Sequence, residues 1–262
     1  MDASDPQEAL RRTVELLAGA RNALALTGAG ISVESGIPDF RGRGGLWERF
    51  DPQEYATIEA FRRDPPKVWR MLAELEEVVL GARPNPAHRA LVELQEKEIV
   101  RWILTQNIDG LHQAAGSRNV IEYHGNGRTL VCLDCSHRVE HAQRGHQIPP
   151  PCPSCGAILK PDVILFGELI PQRALQQGRE AVDTADLVLV IGTRAEVWPF
   201  AELPRIASSR GIPVVEINLE RTGLSDSVAD ITLCGAAGEL LPRLVSRLDS
   251  GGLRLGVSDF LE

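Results

Sequence analysis

Nowhere in the 262 residues does an apolar run approach the roughly 20 residues a membrane helix needs, so no membrane partner is expected. Cations are in the minority, with 28 Lys+Arg against 36 Asp+Glu and a net charge of −8. Phosphate neutralisation needs clustered cations, so no nucleic-acid partner is expected either. The acidic balance could attract basic segments, or could simply keep the chain soluble. The opening MDASDPQEAL has neither the basic nor the apolar part of a secretory leader, which places the chain in the cytoplasm as an expectation. Cysteines number only five, and a chain of this length can bury a core without disulfides.

What is present is a rhythm of short apolar runs and amphipathic stretches. Leu10, Val14 and Leu17 mark a helix over 7–20, and further helices are expected at 66–79, 86–98, 172–184, 200–209 and 239–248. Between them, Ala23–Leu26, Ile99–Leu104, Leu187–Ile191, Val214–Ile217 and Ile231–Leu233 read as strands apolar on both faces. That alternation predicts the α/β class, with a parallel sheet under helices and ligands at the strands' carboxyl ends. Residues 37–84 and 126–160 break the rhythm and read as insertions forming a small second lobe, which leaves 1–36, 85–125 and 161–262 for the sheet domain.

Cys132-x-x-Cys135, then 16 residues, then Cys152-x-x-Cys155 is the most specific spacing in the chain. Two such knuckles enclose one Zn²⁺ tetrahedrally, and four thiolates leave no open position, so the metal is expected to be structural. His137, His141 and His146 lie in or beside the loop as competing ligands, and Cys234 is expected as a buried apolar thiol.

Gly28-Ala29-Gly30 follows the first strand. It fits either a tight turn or the opening of a dinucleotide site whose pyrophosphate meets a helix N-terminus, although position 33 is Val33 rather than glycine. Gln106-Asn107-Ile108-Asp109 ends another strand, either as a helix cap or as partners for a ribose and a carboxamide. His124 closes the stretch Val120–Tyr123, as a structural histidine or a general base.

Taken together, GAGIS (28–32), GIPDFRG (36–42), TQNIDGLH (105–112), His124-Gly125, the cysteine pairs, KPDVILFGE (160–168), Gly192-Thr193, VWPFAELP (197–204) and INLE (217–220) resemble the sirtuin family of NAD-dependent protein deacylases, in that family's order. The resemblance implies a Rossmann-like domain with a smaller zinc-binding and helical domain inserted, and a cleft where NAD⁺ meets an acyl-lysine protein. It implies that Gly28, Ala29 and Gly30 line the pyrophosphate, with Gly192 and Thr193 on the nucleotide as well. Asp39, Phe40 and Arg41 would belong to a loop over the nicotinamide ribose, which Gln106 contacts. Asn107, Ile108 and Asp109, with Ser32, would form the nicotinamide pocket. Asn218, Leu219 and Glu220 would hold the adenosine ribose, and Ala237 would flank the adenine. His124 would be the catalytic base, with Asn107 beside it. Val163, Phe166, Gly167, Glu168 and Val197 would line the acyl-lysine tunnel, where the peptide pairs as an added strand.

The implied reaction consumes NAD⁺. The acyl oxygen attacks the ribose C1′ as nicotinamide leaves; His124 then takes a proton from a ribose hydroxyl that attacks the alkylimidate carbon. Nicotinamide, free lysine and O-acyl-ADP-ribose result. Three features depart from the family pattern or narrow it. Arg194 stands where a serine is usual, either reaching a phosphate or pointing outward. Trp198 and Phe200 are bulkier than is common. Leu72 and Leu75 occupy the positions of a Tyr-x-x-Arg pair that reads acidic acyl groups, so neutral acyl groups are expected. ADP-ribosyl transfer, NAD⁺ hydrolysis and a non-catalytic nucleotide-binding zinc module remain alternatives, and the oligomeric state, a monomer included, is open.

Overall fold

The computed structural model describes residues 5–39, 45–143 and 147–252. Its first helix, α1 (Pro6–Gly19), starts where the sequence provides a start: Asp5 accepts from the Gln7 N–H and Pro6 occupies the first turn. From there the chain enters β1 (Ala23–Thr27), whose five residues are all buried. Ala23 and Ala25 pack on one face against Leu17, Leu91 and Leu244; Leu24 and Leu26 pack on the other among Val182, Phe200 and Leu203. A strand buried on both faces carries no polar alternation, which is why it reads as an unbroken apolar run.

β1 is central to six parallel strands. The order is β3 (Val120–Glu122), β2 (Val100–Thr105), β1, β7 (Leu187–Ile191), β8 (Val214–Asn218) and β9 (Ile231–Cys234). Chain order reverses between β1 and β7, which places the sheet's switch point at their carboxyl ends. Helices α1, α6 (Pro86–Glu96) and α10 (Ala237–Gly252) contribute to the core on one face of the sheet, and α8 (Gln172–Thr184) and α9 (Glu202–Ser209) to the core on the other.

A second core lies apart from the sheet. Helices α2 (Leu46–Arg49), α3 (Pro52–Tyr55), α4 (Ile58–Arg63) and α5 (Pro65–Gly81) pack with a three-stranded antiparallel sheet, β5 (Arg138–Glu140), β4 (Gly125–Cys132) and β6 (Leu159–Val163). Trp69 is 1% exposed, and its indole N–H donates to the Leu159 carbonyl at 2.8 Å. It joins Phe61, Val68, Leu130, Cys132 and Cys152 in one cluster, so the cysteine knuckles share a core with the helices. Full burial of a large apolar side chain contributes on the order of 2–3 kcal/mol, so loss of either part exposes the other.

The glycine turn leads into a 3₁₀ segment of seven residues, Ala29–Ser35, ended by Gly36 at φ +86°. One expectation is corrected. Cys234 is exposed rather than buried, because it ends β9 at the sheet edge on the outward side of the strand's in-out pattern. No helix among the described residues is long and apolar enough to cross a membrane.

Candidate active site

The glycines of the turn are required by packing. A Cβ on Gly28 would sit 2.6 Å from Thr193 Cβ, and one on Gly30 would sit 2.7 Å from Gly192 Cα. Gly192 has φ +61°, and its carbonyl accepts from the Gly30 N–H at 2.8 Å. The turns after β1 and β7 are thus clasped backbone to backbone at the switch point.

The loop after β2 closes the third side. Gln106 donates to Thr193 Oγ1 at 2.7 Å. Asn107 is buried, and its amide donates to the Gly28 carbonyl and to Ser32 Oγ, both at 3.1 Å. Ser32 Oγ donates in turn to Asp109 Oδ2 at 2.7 Å, while Asp109 Oδ1 accepts from the Leu111 N–H at 2.9 Å. Burial pushes the Asp109 carboxyl above the usual range, and the hydrogen bonds from Leu111, Ser32 and Asn107 pull it back. Residues 75–79 apart in sequence are thereby fixed as one unit.

His124 follows β3 and opens toward the same cavity. Its ring lies 5.9 Å from Tyr123 and 6.4 Å from Phe200. Burial holds it below the usual imidazole range, against a raising hydrogen bond with the Gln106 backbone. An imidazole held below its usual range is neutral at pH 7 and has a ring nitrogen able to take up a proton. Gly125 follows at φ +75°, where a Cβ would meet the Asp162 carbonyl oxygen at 2.0 Å. This close approach lets the Ile164 N–H donate to the His124 carbonyl at 2.9 Å.

That hydrogen bond leads into the segment after β6. Val163, Phe166, Gly167, Glu168, Val197, Leu72 and Leu75 all line the cavity of about 1240 Å³. Phe166 is held by two backbone hydrogen bonds, to Ala56 and from Ile58. Glu168 turns Oε2 back to the buried Lys160 ammonium at 2.9 Å and to the Leu165 N–H at 2.8 Å, so it braces the wall. The far wall adds Met71 and Val79 from α5, with Leu46 and Trp47, which the sequence reading missed; only the apolar face of α5 could have signalled the first two.

Ala29, Gly30, Ser32, Asp39, Ile108, Asn218, Leu219, Glu220 and Ala237 also line the cavity. Arg194 pairs with Glu220 at 2.6 Å across its rim, both largely exposed. Phe40, Arg41 and His146 lie outside the described residues.

Cys132, Cys135, Cys152 and Cys155 bring their Sγ atoms within 4.8 Å of one another, with Cys132–Cys155 at 3.5 Å and Cys135–Cys152 at 3.6 Å. Four sulfurs around a tetrahedral ion at about 2.3 Å stand roughly 3.8 Å apart, so the set fits a metal with all four positions filled. His141 is not among them; its Nδ1 hydrogen-bonds the Gly127 carbonyl at 2.6 Å.

The Sir2 family model matches residues 28–199. An "NAD-dependent protein deacylase 2" of Pyrobaculum aerophilum is 48% identical over 89% of this chain and 94% of its own. A solved Sir2 homolog–NAD complex, 42% identical, covers 92% of this chain and 94% of its own at TM-score 0.86. A further solved structure, Sir2Af2 bound to a myristoylated histone peptide, is 36% identical and covers 95% and 99% at TM-score 0.81.

Proposed function

This chain belongs to the Sir2 family, and from that premise we propose how its cleft performs NAD⁺-dependent deacylation of lysine. The protein is an NAD-dependent protein deacylase, and NAD⁺ is a substrate it consumes. The observation that carries the assignment of roles is the convergence of the Gly28 turn, the Asn107–Ser32–Asp109 unit and His124 on one cavity at the sheet's switch point.

The backbone at Gly28, Ala29 and Gly30, with Gly192 and Thr193, receives the diphosphate. Asn107, Ile108, Asp109 and Ser32 hold the nicotinamide, and Gln106 its ribose. Asn218, Leu219 and Glu220 face the adenosine ribose, and Ala237 the adenine. Asp39 borders the nicotinamide end, and Phe40 and Arg41 are assigned to the loop over it. Departure of nicotinamide leaves a cationic sugar centre, so the apolar walls protect it from water until the acyl oxygen arrives. His124, neutral at pH 7, takes the proton from the ribose hydroxyl that then attacks the acyl carbon.

An acyl-lysine peptide or protein is the second substrate, a reading supported by the myristoylated histone peptide held by one neighbour. Val163, Phe166, Gly167 and Val197 would line the lysine's path, with Glu168 bracing them. Beyond them Leu72 and Leu75 meet the acyl group, beside Met71 and Val79. Among the described residues Leu72, Leu75, Met71 and Val79 offer a carboxylate no partner, and burying one there would cost several kcal/mol, so the acyl group is neutral.

The four cysteines hold Zn²⁺, which stabilises the core of α2–α5 and β4–β6 and takes no part in the chemistry. Residues 37–84 and 126–160 are assigned to this small lobe, with β4 and β6 reaching slightly past the second span to Gly125 and Val163. Cysteines that hold a metal rather than pair as disulfides suit a reducing compartment, which supports the cytoplasm. The test is mass spectrometry of products from NAD⁺ and a panel of acyl-lysine peptides. O-acyl-ADP-ribose is expected from acetyl and aliphatic acyl peptides. Nicotinamide release without an acyl peptide, or faster succinyl than acetyl removal, would overturn the reading.

A further inference from the structure

The nucleotide half of the cleft rests on a carboxylate to which none of the roles above is given. Glu216 lies in β8 and is 0% exposed. The groups bonded to it are neutral donors. Thr222 Oγ1 lies at 2.5 Å, Ser225 Oγ closer still, Asn218 Nδ2 at 2.9 Å and Thr232 Oγ1 at 3.5 Å. The two nearest hydroxyls are directional. Thr222 Oγ1 already accepts the Leu224 N–H, and Ser225 Oγ already accepts the Thr222 N–H, so each has its hydrogen left for Glu216.

Asn218 is the cleft-lining member of this network. Its Nδ2 donates to Glu216 Oε1 at 2.9 Å and to the Thr193 carbonyl at 3.1 Å. Carbonyl and carboxylate oxygens accept only, so a flipped amide would set oxygen against oxygen twice. Both amide hydrogens are therefore committed, and Oδ1 is the atom left for a ligand. Such an atom requires a donor, and a ribose hydroxyl is one.

We propose that Glu216 is a positioning residue for the dinucleotide: it locks the Asn218 amide as an acceptor, so that the cleft selects a sugar hydroxyl that donates. The proposal rests on the reading that Asn218 faces the adenosine ribose. Thr222 and Ser225 extend the effect, since the same carboxylate folds the 222–225 turn that follows the cleft-lining Leu219 and Glu220.

The test measures kcat/KM for deacylation, at saturating acetyl-lysine peptide, with NAD⁺ and with analogues in which each adenosine ribose hydroxyl in turn is replaced by hydrogen or by an amino group. With the unaltered protein, one deoxy analogue is expected to lose about fivefold, the scale of a single neutral hydrogen bond, and its amino counterpart to regain most of it. In Glu216→Met the amide loses one of its two acceptors and keeps only the Thr193 carbonyl, so the deoxy penalty is expected to shrink below about twofold, with KM for the peptide unchanged. Glu216→Gln, which still offers an oxygen to Asn218, is expected to keep the penalty. If neither deoxy analogue is penalised by the unaltered protein, the reading of Asn218 at the ribose fails. If the penalty exists but survives in Glu216→Met, that reading stands and the locking role of Glu216 is overturned. Should Glu216→Met not fold, Glu216→Val decides in its place: a deoxy penalty that shrinks supports the locking role, and one that survives overturns it.

Discussion

Lowering the pH from 7 to 5 should cost this protein much of its stability through a histidine outside the cleft chemistry. His88 is 0% exposed in α6, and its Nδ1 contacts Asn85 Oδ1 at 3.0 Å while Nε2 finds no partner. Burial, with a smaller contribution from Arg89, lowers its pKa to about 4. The unfolded chain titrates this side chain near 6.5, so on acidification the unfolded state binds the proton first. Stability is therefore fully present above about pH 6.5 and is lost as the pH falls toward 4. At pH 5 the unfolded histidine is almost fully protonated and the folded one only about one-tenth so, which amounts to about 2 kcal/mol. Folded proteins of this kind have about 5–15 kcal/mol in total. The assay is urea unfolding at pH 7 and pH 5, followed by fluorescence with the buried Trp69 as a reporter, on the unaltered protein and on His88→Gln. The glutamine does not titrate, so its loss between the two pH values should be smaller by about 2 kcal/mol. Comparing the two proteins removes the thiolates, which also take up protons in acid. Equal losses in both proteins would refute the argument that the fold keeps His88 neutral.

Other outcomes follow from the same geometry. His112 is 1% exposed with its pKa lowered to about 3, first by burial and then by His88, so His112→Asn should flatten the pH dependence over the same interval in the same unfolding assay. Gly30→Ala places a methyl 2.7 Å from Gly192 Cα, where backbone cannot yield; a loss of about 1–3 kcal/mol by urea titration is expected, together with weaker NAD⁺ binding by calorimetry. His124→Ala should lower deacylation by about 10²–10⁴-fold while the Kd for NAD⁺ changes little, and unchanged turnover would remove His124 from the chemistry. Cys152→Ser opens the four-sulfur set, so elemental analysis should show zinc lost, and near-ultraviolet circular dichroism should show the Trp69 surroundings disordered.

Much of this was legible along the chain. The strand Leu187–Ile191 and the helix Gln172–Thr184 were readable to the residue, because both are bounded by sharp changes in polarity. The cysteine knuckles needed only their spacing. The departures lie where local pattern meets a neighbour. Gly28-Ala29-Gly30 fits a tight turn or the approach to a helix equally well; the chain winds there as a 3₁₀ segment that Gly36 ends in the left-handed region. Cys234 looked like a core thiol, yet its strand is the sheet's last, and an edge leaves its outward face open. Arg194 could not be placed from the sequence at all; its direction is set by Glu220, 26 positions away.

By itself, then, the sequence determined the alternation of strands and helices, the cysteine knuckles and the inventory of polar strand ends, since each depends on spacing within a few residues. The tertiary structure alone decided which polar groups meet. Ser32 finds Asp109, Lys160 finds Glu168, and Glu216 collects Asn218, Thr222 and Ser225. A buried polar atom must be hydrogen-bonded wherever the chain brings a partner, and the partner's position is fixed by how the elements pack rather than by local periodicity.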